Sequence, residues 1–201
     1  MSVDRRAVLS LLVFCGVGGM AVSASDLVGR AAEKQVPITF SGGHTIGKED
    51  FGRPVTLIAA ALGVKPDVFR KAFRGVTPAR GRGPTGTEAR KNKDALLSVL
   101  GPHGVTNERL DEVSDYYRFR PDRGELWPTR AAKAHAVVVD GKIKRIVMTD
   151  AGAGYCTPPT AKVAGFAETR FTVTLALGKD LKKNGGVARI EVVPGKKDQA
   201  K

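Results

Sequence analysis

The spacing of apolar residues changes once along this chain, and that change sorts the possible folds. Between residues 54 and 119 apolar side chains recur three and four positions apart. The sets are Val55, Ile58, Ala59 and Leu62; Phe69, Ala72 and Phe73; Leu96, Leu97 and Leu100; and Leu110, Val113 and Tyr117. That period lines up one face of a helix. Beyond residue 133 the period drops to two. Phe171, Val173, Leu175 and Leu177 alternate with Thr172, Thr174 and Ala176. Ala188, Ile190 and Val192 alternate with Arg189, Glu191 and Val193. Asp140-Gly141 lies between two apolar runs, the strongest short-range signal for a hairpin. Helices followed by strands predict an α+β fold rather than a parallel sheet with interleaved helices. The expectation is a small helical half, built as two helix-turn-helix pairs, followed by a small antiparallel β half of about five strands.

Local signals divide the chain further. Residues 25–53 form a lead-in segment with one strand-like run at residues 36–40. Pro54 opens the first helix at a position where its missing N–H costs nothing, and Gly63 ends it. Pro66 opens the second. Residues 75–86 are a Gly/Pro/Arg loop. Thr87 caps the third helix and Thr106 or Asn107 the fourth. Residues 54–119 are therefore the helical domain and 120–132 a connector. The connector holds the chain's one tryptophan, Trp127, which is expected to pack over the junction. Residues 133–194 are the β module and 195–201 a tail.

Between the hairpin and the next strand stands Ala151-Gly152-Ala153-Gly154-Tyr155-Cys156-Thr157-Pro158-Pro159. Gly152 and Gly154 are free to take positive φ. Tyr155 brings a ring to pack and a hydroxyl to anchor. Pro158 and Pro159 stiffen the exit. The reading is a structural corner formed by Gly152, Gly154, Tyr155, Pro158 and Pro159, with Tyr155 folded back onto the β half.

The first 24 residues have the three-part pattern of a secretory signal peptide. Arg5 and Arg6 precede an apolar run of 16 residues, 7–22, and Val22-Ser23-Ala24 supplies the small residues at the cleavage point. The run is short for a membrane span, so none is expected in the mature chain. The expected location is periplasmic, envelope-associated or extracellular. The whole chain carries a net charge of +13, from 33 basic and 20 acidic residues. Cleavage after Ala24 leaves 31 against 19, a charge of +12. It also removes Cys15 and leaves Cys156 without a disulfide partner in its own chain. A strongly basic surface favours polyanions. Arg70, Lys71, Arg74, Arg80 and Arg82 are the candidate contacts, and an anionic envelope polymer or lipid is the expected partner. Export disfavours nucleic acid.

Three site readings compete with this one. Helices one and two have the spacing of a DNA-binding helix-turn-helix, with Arg70, Lys71 and Arg74 placed for phosphate contacts. The same arrangement is also a generic way to pack two short helices. It becomes a function only if the leader is misread. Cys156 with His135 could form a nucleophile and base, but His135 has Val137 and Val139 on its strand face and reads as packed. His44, Glu49 and Asp50 could serve an exported enzyme or hold a metal, although their spacing is not that of a zinc or calcium site. A polar turn ahead of the first helix accounts for them equally well. No Walker loop, dinucleotide fingerprint or Gly-x-Ser-x-Gly elbow occurs, and no cofactor is expected.

Gly141-x-Ile143-x-x-Ile146 followed by Gly152-x-Gly154-Tyr155-x-x-Pro158-Pro159 resembles a β module of bacterial and phage surface proteins. With Gly42-Gly43-His44, Arg53-Pro54 and Leu110-Asp111-Glu112-Val113, the chain resembles an uncharacterised family of bacterial secreted proteins. The resemblance implies export and a shared fold, and it brings no catalytic residues. Cys156 departs from the small hydroxyl residue expected at its place. The leading expectation is a non-enzymatic exported protein that binds or scaffolds at the cell envelope.

Overall fold

A computed structural model of the protein describes residues 32–77 and 84–193. The leader, Arg80, Arg82 and the tail at 195–201 lie outside the described residues. Chain order is β1 (Lys34–Ser41), α1 (Val55–Leu62), α2 (Pro66–Phe73), α3 (Gly86–Leu100), α4 (Asn107–Tyr116), β2 (Lys133–Val139), β3 (Lys142–Asp150), β4 (Thr160–Val163), β5 (Arg170–Ala176) and β6 (Gly186–Val193). The class is α+β, and both sheets are antiparallel.

Helix ends follow local chemistry, with small shifts from expectation. Pro54 is the residue before α1 rather than its first, and its carbonyl accepts from Leu57 and Ile58. Pro66 does open α2. Thr85, not Thr87, caps α3: its hydroxyl accepts from the Glu88 N–H and Glu88 reaches back to the Thr85 N–H. This reciprocal pairing satisfies two otherwise orphaned donors. Thr106 caps α4 through the Arg109 N–H. Six residues of α1 are buried, on every side of the helix, as expected of a sequence apolar all round. α2 and α4 each bury one stripe against it, so α1 is the centre of the helical core.

The β half departs more from its expected form. Four strands pair in the order β3-β2-β1-β4, and β5 and β6 form a separate two-stranded sheet. β1, placed above in the lead-in segment, pairs with both β2 and β4 and so lies inside the sheet. Antiparallel pairing needs no short connection, and Val36, Ile38 and Phe40 present the alternating face that the sheet buries. The helices are thus an insertion between β1 and β2. The β2–β3 turn is the expected two-residue hairpin, with φ of 50° at Asp140 and 70° at Gly141.

Register shifts occur at Lys133/Ala134, Val137/Val138 and Thr174/Leu175, and the latter two redirect core side chains. Val137 faces Arg145 while Val138 faces Ile143, which leaves Lys144 as an extra residue. This resets the face between Ile143 and Ile146, three positions apart, so that both pack on the sheet core. In β6, Thr174 faces Arg189 while Leu175 faces Val187. Ala188 is the extra residue there. Val187 and Ile190 point inward, and Ala188 and Val192, expected inside, are exposed.

Two cores result. The sheet core holds Ile38, Ala132, Ala134, Ala136, Ala161, Val163, Val173 and Val187, so residues of the β5–β6 ribbon share one apolar cluster with the four-stranded sheet, and β5 lies against β4. The helical core holds α1 with Phe69, Leu100, Leu110, Val113 and Trp127. Adjacent residues of the corner divide between them: Tyr155 belongs to the sheet core and Cys156 to the helical core.

Candidate functional site

The corner is built by backbone. Gly152 has φ of 67° and Gly154 of 83°, a region where a Cβ is disfavoured. The Arg130 and Ala153 main chains exchange hydrogen bonds of 3.0 and 2.9 Å. The Tyr155 hydroxyl accepts from the Ala132 N–H at 3.0 Å, and Trp127 Nε1 donates to the Gly154 carbonyl at 2.8 Å. Pro159 is buried and Pro158 exposed. Trp127 does pack over the junction and is 1 % exposed.

Asn184 completes the junction and had no place among the sequence candidates, where it lay within a polar loop. It is 2 % exposed. Its Nδ2 donates to the Leu57 carbonyl and to the Tyr117 hydroxyl, each at 2.8 Å, while its Oδ1 accepts from the Gly178 N–H. One amide thus joins α1, the end of α4 and the β5–β6 connection. Asn184-Gly185 signals a turn, but nothing local signals burial.

His44 stacks on Tyr155 with ring centroids 5.2 Å apart and meets the edge of Trp127 at 6.0 Å. Its Nε2 is buried with no hydrogen-bond partner. Burial lowers its pKa, because the charged form loses water and gains no acceptor. The folded state therefore prefers neutral His44. Its contribution to stability is complete above the unfolded value of about 6.5 and is lost as pH falls from there through the lower folded pKa. His44→Phe keeps the stacking and removes the titration. Urea unfolding at pH 7.5 and pH 5 is expected to show a loss at pH 5 that is smaller in His44→Phe than in the wild type. An equal loss in both would reject this role.

His44 and the two acidic residues read with it do not converge. Among the described residues no group of three His, Cys, Asp or Glu side chains is placed to hold a metal. Asp50, 8 % exposed, accepts from Arg70 Nε at 2.7 Å, and Glu49 lies 3.6 Å from Arg70 Nη2. Cys156 Sγ donates to the Thr45 carbonyl at 3.3 Å, and burial pushes the thiol up to about 11. A nucleophilic cysteine needs the opposite shift. His135 stays half-buried on β2.

A cleft of about 690 Å³ lies between residues 48–53 and the C-terminal end of α2. Its floor is Val55, Phe73 and Val76. Its walls are Glu49, Asp50, Phe51, Arg53, Arg70 and Arg74. A smaller hollow of about 260 Å³ shares Glu49, Asp50, Arg53 and Arg70 and reaches Cys156 and Thr157. A short 3-10 turn, Lys48–Asp50, leads into Phe51, which has φ of 49° and is 80 % exposed. A left-handed bulky residue is strained by roughly 1–3 kcal/mol, and such residues gather at binding sites. Arg53 then folds its guanidinium over the Phe73 ring, 3.7 Å from the centroid, and donates to the Phe51 carbonyl at 3.2 Å. Burial pulls its pKa down, although an arginine remains charged at any physiological pH.

The basic residues read from the sequence separate here. Arg70 is held by Asp50, Asp67 and Glu49, and its hydrogen bond to Asp50 raises its pKa further. It is a strut between α2 and the 48–53 turn rather than a free surface charge. Lys71 is exposed on α2. Arg74 lines the cleft, and among the described residues neither Arg74 nor Arg53 has a carboxylate within 4.0 Å. Phe51, Arg53 and Phe73 were not legible as a site, because Arg53 and Phe73 are far apart in sequence and only the α1–α2 turn brings them together.

No family model, curated protein or solved structure matches this chain. The chemistry of the cleft and the pattern of the leader are therefore the grounds for a function. No helix among the described residues is long and apolar enough to cross a membrane.

Proposed function

We propose that the protein is an exported, non-enzymatic binding protein of the bacterial cell envelope that takes an anionic ligand at the α2 cleft. The observation that carries this reading is the pair Arg53 and Arg74, guanidinium groups that line an open, apolar-floored cleft without a carboxylate partner among the described residues. Arg53 is half-buried and Arg74 exposed, and a guanidinium left without a counter-ion gains a charge-assisted hydrogen bond from an arriving anion. The volume suits a bound small molecule or polymer segment. Export rests on the leader pattern at residues 1–24, and the resemblance to bacterial secreted proteins agrees with it. The raised thiol pKa of Cys156 and the ion-paired state of Asp50 favour a binder over the alternative of an enzyme or metal protein.

Two measurements test this. Fractionation with N-terminal sequencing is expected to find the protein outside the cytoplasm, beginning near Ser25. Recovery of an intact Met1 chain from the cytosol alone would instead favour the DNA-binding reading of α1 and α2. Retention on heparin or on anionic vesicles is expected to weaken on the order of ten-fold between 50 and 200 mM salt, because released counter-ions drive such binding. Binding indifferent to salt would reject the anionic-ligand reading.

A further inference from the structure

We infer that the α2 cleft prefers a ligand with a single anionic head and an apolar tail, the chemistry of a fatty-acid carboxylate, over an extended polyanion, whose salt-sensitive retention then rests on the basic surface at large. The inference rests on the reading that this cleft binds an anion, and it goes on to name the class.

Charge decides the head. Within the cleft three guanidinium groups, Arg53, Arg70 and Arg74, face two carboxylates, Glu49 and Asp50. Asp67 is a third carboxylate on Arg70, 2.9 Å from its Nη1, so the region holds no large excess of positive charge to draw a polyanion. Arg70 is already held by Asp50 at 2.7 Å, so Arg53 and Arg74 are the groups left to meet the head. Glu49 in the cleft wall and Asp67 beside Arg70 keep most of their side-chain surface in water, 64 % and 92 %. A polymer with a charge on every unit would bring further anions against these carboxylates. A ligand with one charge does not.

Shape and surface decide the tail. Val55, Phe73 and Val76 floor the cleft. Phe51 stands over it with an apolar side chain 80 % exposed in the free protein, on a backbone held at φ 49°. Phe51 shares the cleft with Val55, Phe73 and Val76, and a concave, mostly apolar lining with a few placed polar groups is the usual form of a ligand site. Arg53 already covers one face of the Phe73 ring at 3.7 Å. A flexible alkyl chain can fill the remaining irregular floor, whereas a flat aromatic ligand would compete with Arg53 for that face.

The test uses the soluble chain and three probes in calorimetry: decanoate below its micellar concentration, decanol and acetate. Decanoate is expected to bind at least about ten-fold tighter than decanol, the step that one charge-assisted hydrogen bond supplies. Acetate is expected to show no saturable binding in the millimolar range. Arg53→Gln is expected to weaken decanoate about ten-fold or more for the same reason. Phe51→Asn tests the tail without touching the core, because the side chain is exposed and asparagine tolerates left-handed backbone. It is expected to fold as well as the wild type and to weaken decanoate several-fold. Lys144→Gln, on β3 and outside the cleft, is expected to leave decanoate affinity unchanged. Equal affinity for decanoate and decanol, or affinity untouched by both Arg53→Gln and Phe51→Asn, would overturn the inference. Salt-sensitive heparin retention without decanoate binding would overturn it too and leave the anionic-ligand reading standing. Loss of both would remove that reading as well.

Discussion

Trp127→Ala is expected to lower stability by about 4 kcal/mol, within the range for deleting a buried aromatic side chain. Two terms add. The indole is 1 % exposed and meets Phe119 and His44 edge-on, with centroids 5.2 and 6.0 Å away, so its removal opens a cavity where the helical core joins the corner. The Gly154 carbonyl then loses the Nε1 donor at 2.8 Å. A buried acceptor left unpaired costs about 1–3 kcal/mol. For a domain of this size each kcal/mol moves the melting temperature by roughly 2–4 °C, so a fall of about 8–16 °C is expected. Trp127→Phe keeps most of the ring and loses only the hydrogen bond, so about 1–2 kcal/mol is expected. Because Trp127 is also the chain's one tryptophan, the unfolding is followed by circular dichroism rather than by fluorescence. A loss below about 1.5 kcal/mol for Trp127→Ala would mean that the junction collapses around the missing ring at little cost. The two cores would then be less dependent on each other than described above.

Gly154→Ala is expected to cost about 2–4 kcal/mol, because strain and a steric clash coincide. At φ 83° an L side chain is disfavoured whatever the space around it. Here there is no space either. An added Cβ would stand 2.6 Å from the Pro128 carbonyl oxygen and 3.0 Å from the Thr129 Cα. Both are backbone, and the neighbouring Arg130–Ala153 hydrogen bonds hold that backbone in place. Relief would require the corner to move away from residues 128–130, and that movement would pull the Gly154 carbonyl from Trp127 and the Tyr155 hydroxyl from the Ala132 N–H. Cys156→Ser is the matched comparison two residues on. Its hydroxyl can keep the bond to the Thr45 carbonyl, so its melting temperature is expected to stay well above that of Gly154→Ala. The reverse order would show that the corner is a pliable loop and that the thiol matters more than the turn.

The two predictions concern residues that were readable from the sequence for different reasons. A lone tryptophan in a connector pointed to a junction, and two glycines around one alanine pointed to a tight turn, because both signals are local. The cleft gave no such signal. Arg53 sits in a segment that reads as polar, and Phe73 reads as one member of an ordinary helical stripe. Arg70 reads as a surface charge because helical spacing cannot reveal that Asp50, twenty positions earlier, reaches it at 2.7 Å.

Sequence alone determined what depends on neighbours within about one turn of chain: the four helices, though not every cap, the Asp140-Gly141 hairpin, the α+β class and the glycine corner. These follow from periodicity, capping hydrogen bonds and the φ that glycine allows, all set over three or four residues. Only the tertiary structure decided the rest. It placed β1 between β2 and β4, divided the strands into sheets of four and two, and used bulges at Lys144 and Ala188 to turn side chains that strict alternation would have pointed the other way. It buried Asn184 against Leu57, 127 positions away, and closed the cleft between Arg53 and Phe73. Such contacts carry no local signature. They form because burying two apolar faces against each other brings distant polar groups together, and those groups must then find partners or remain open to a ligand.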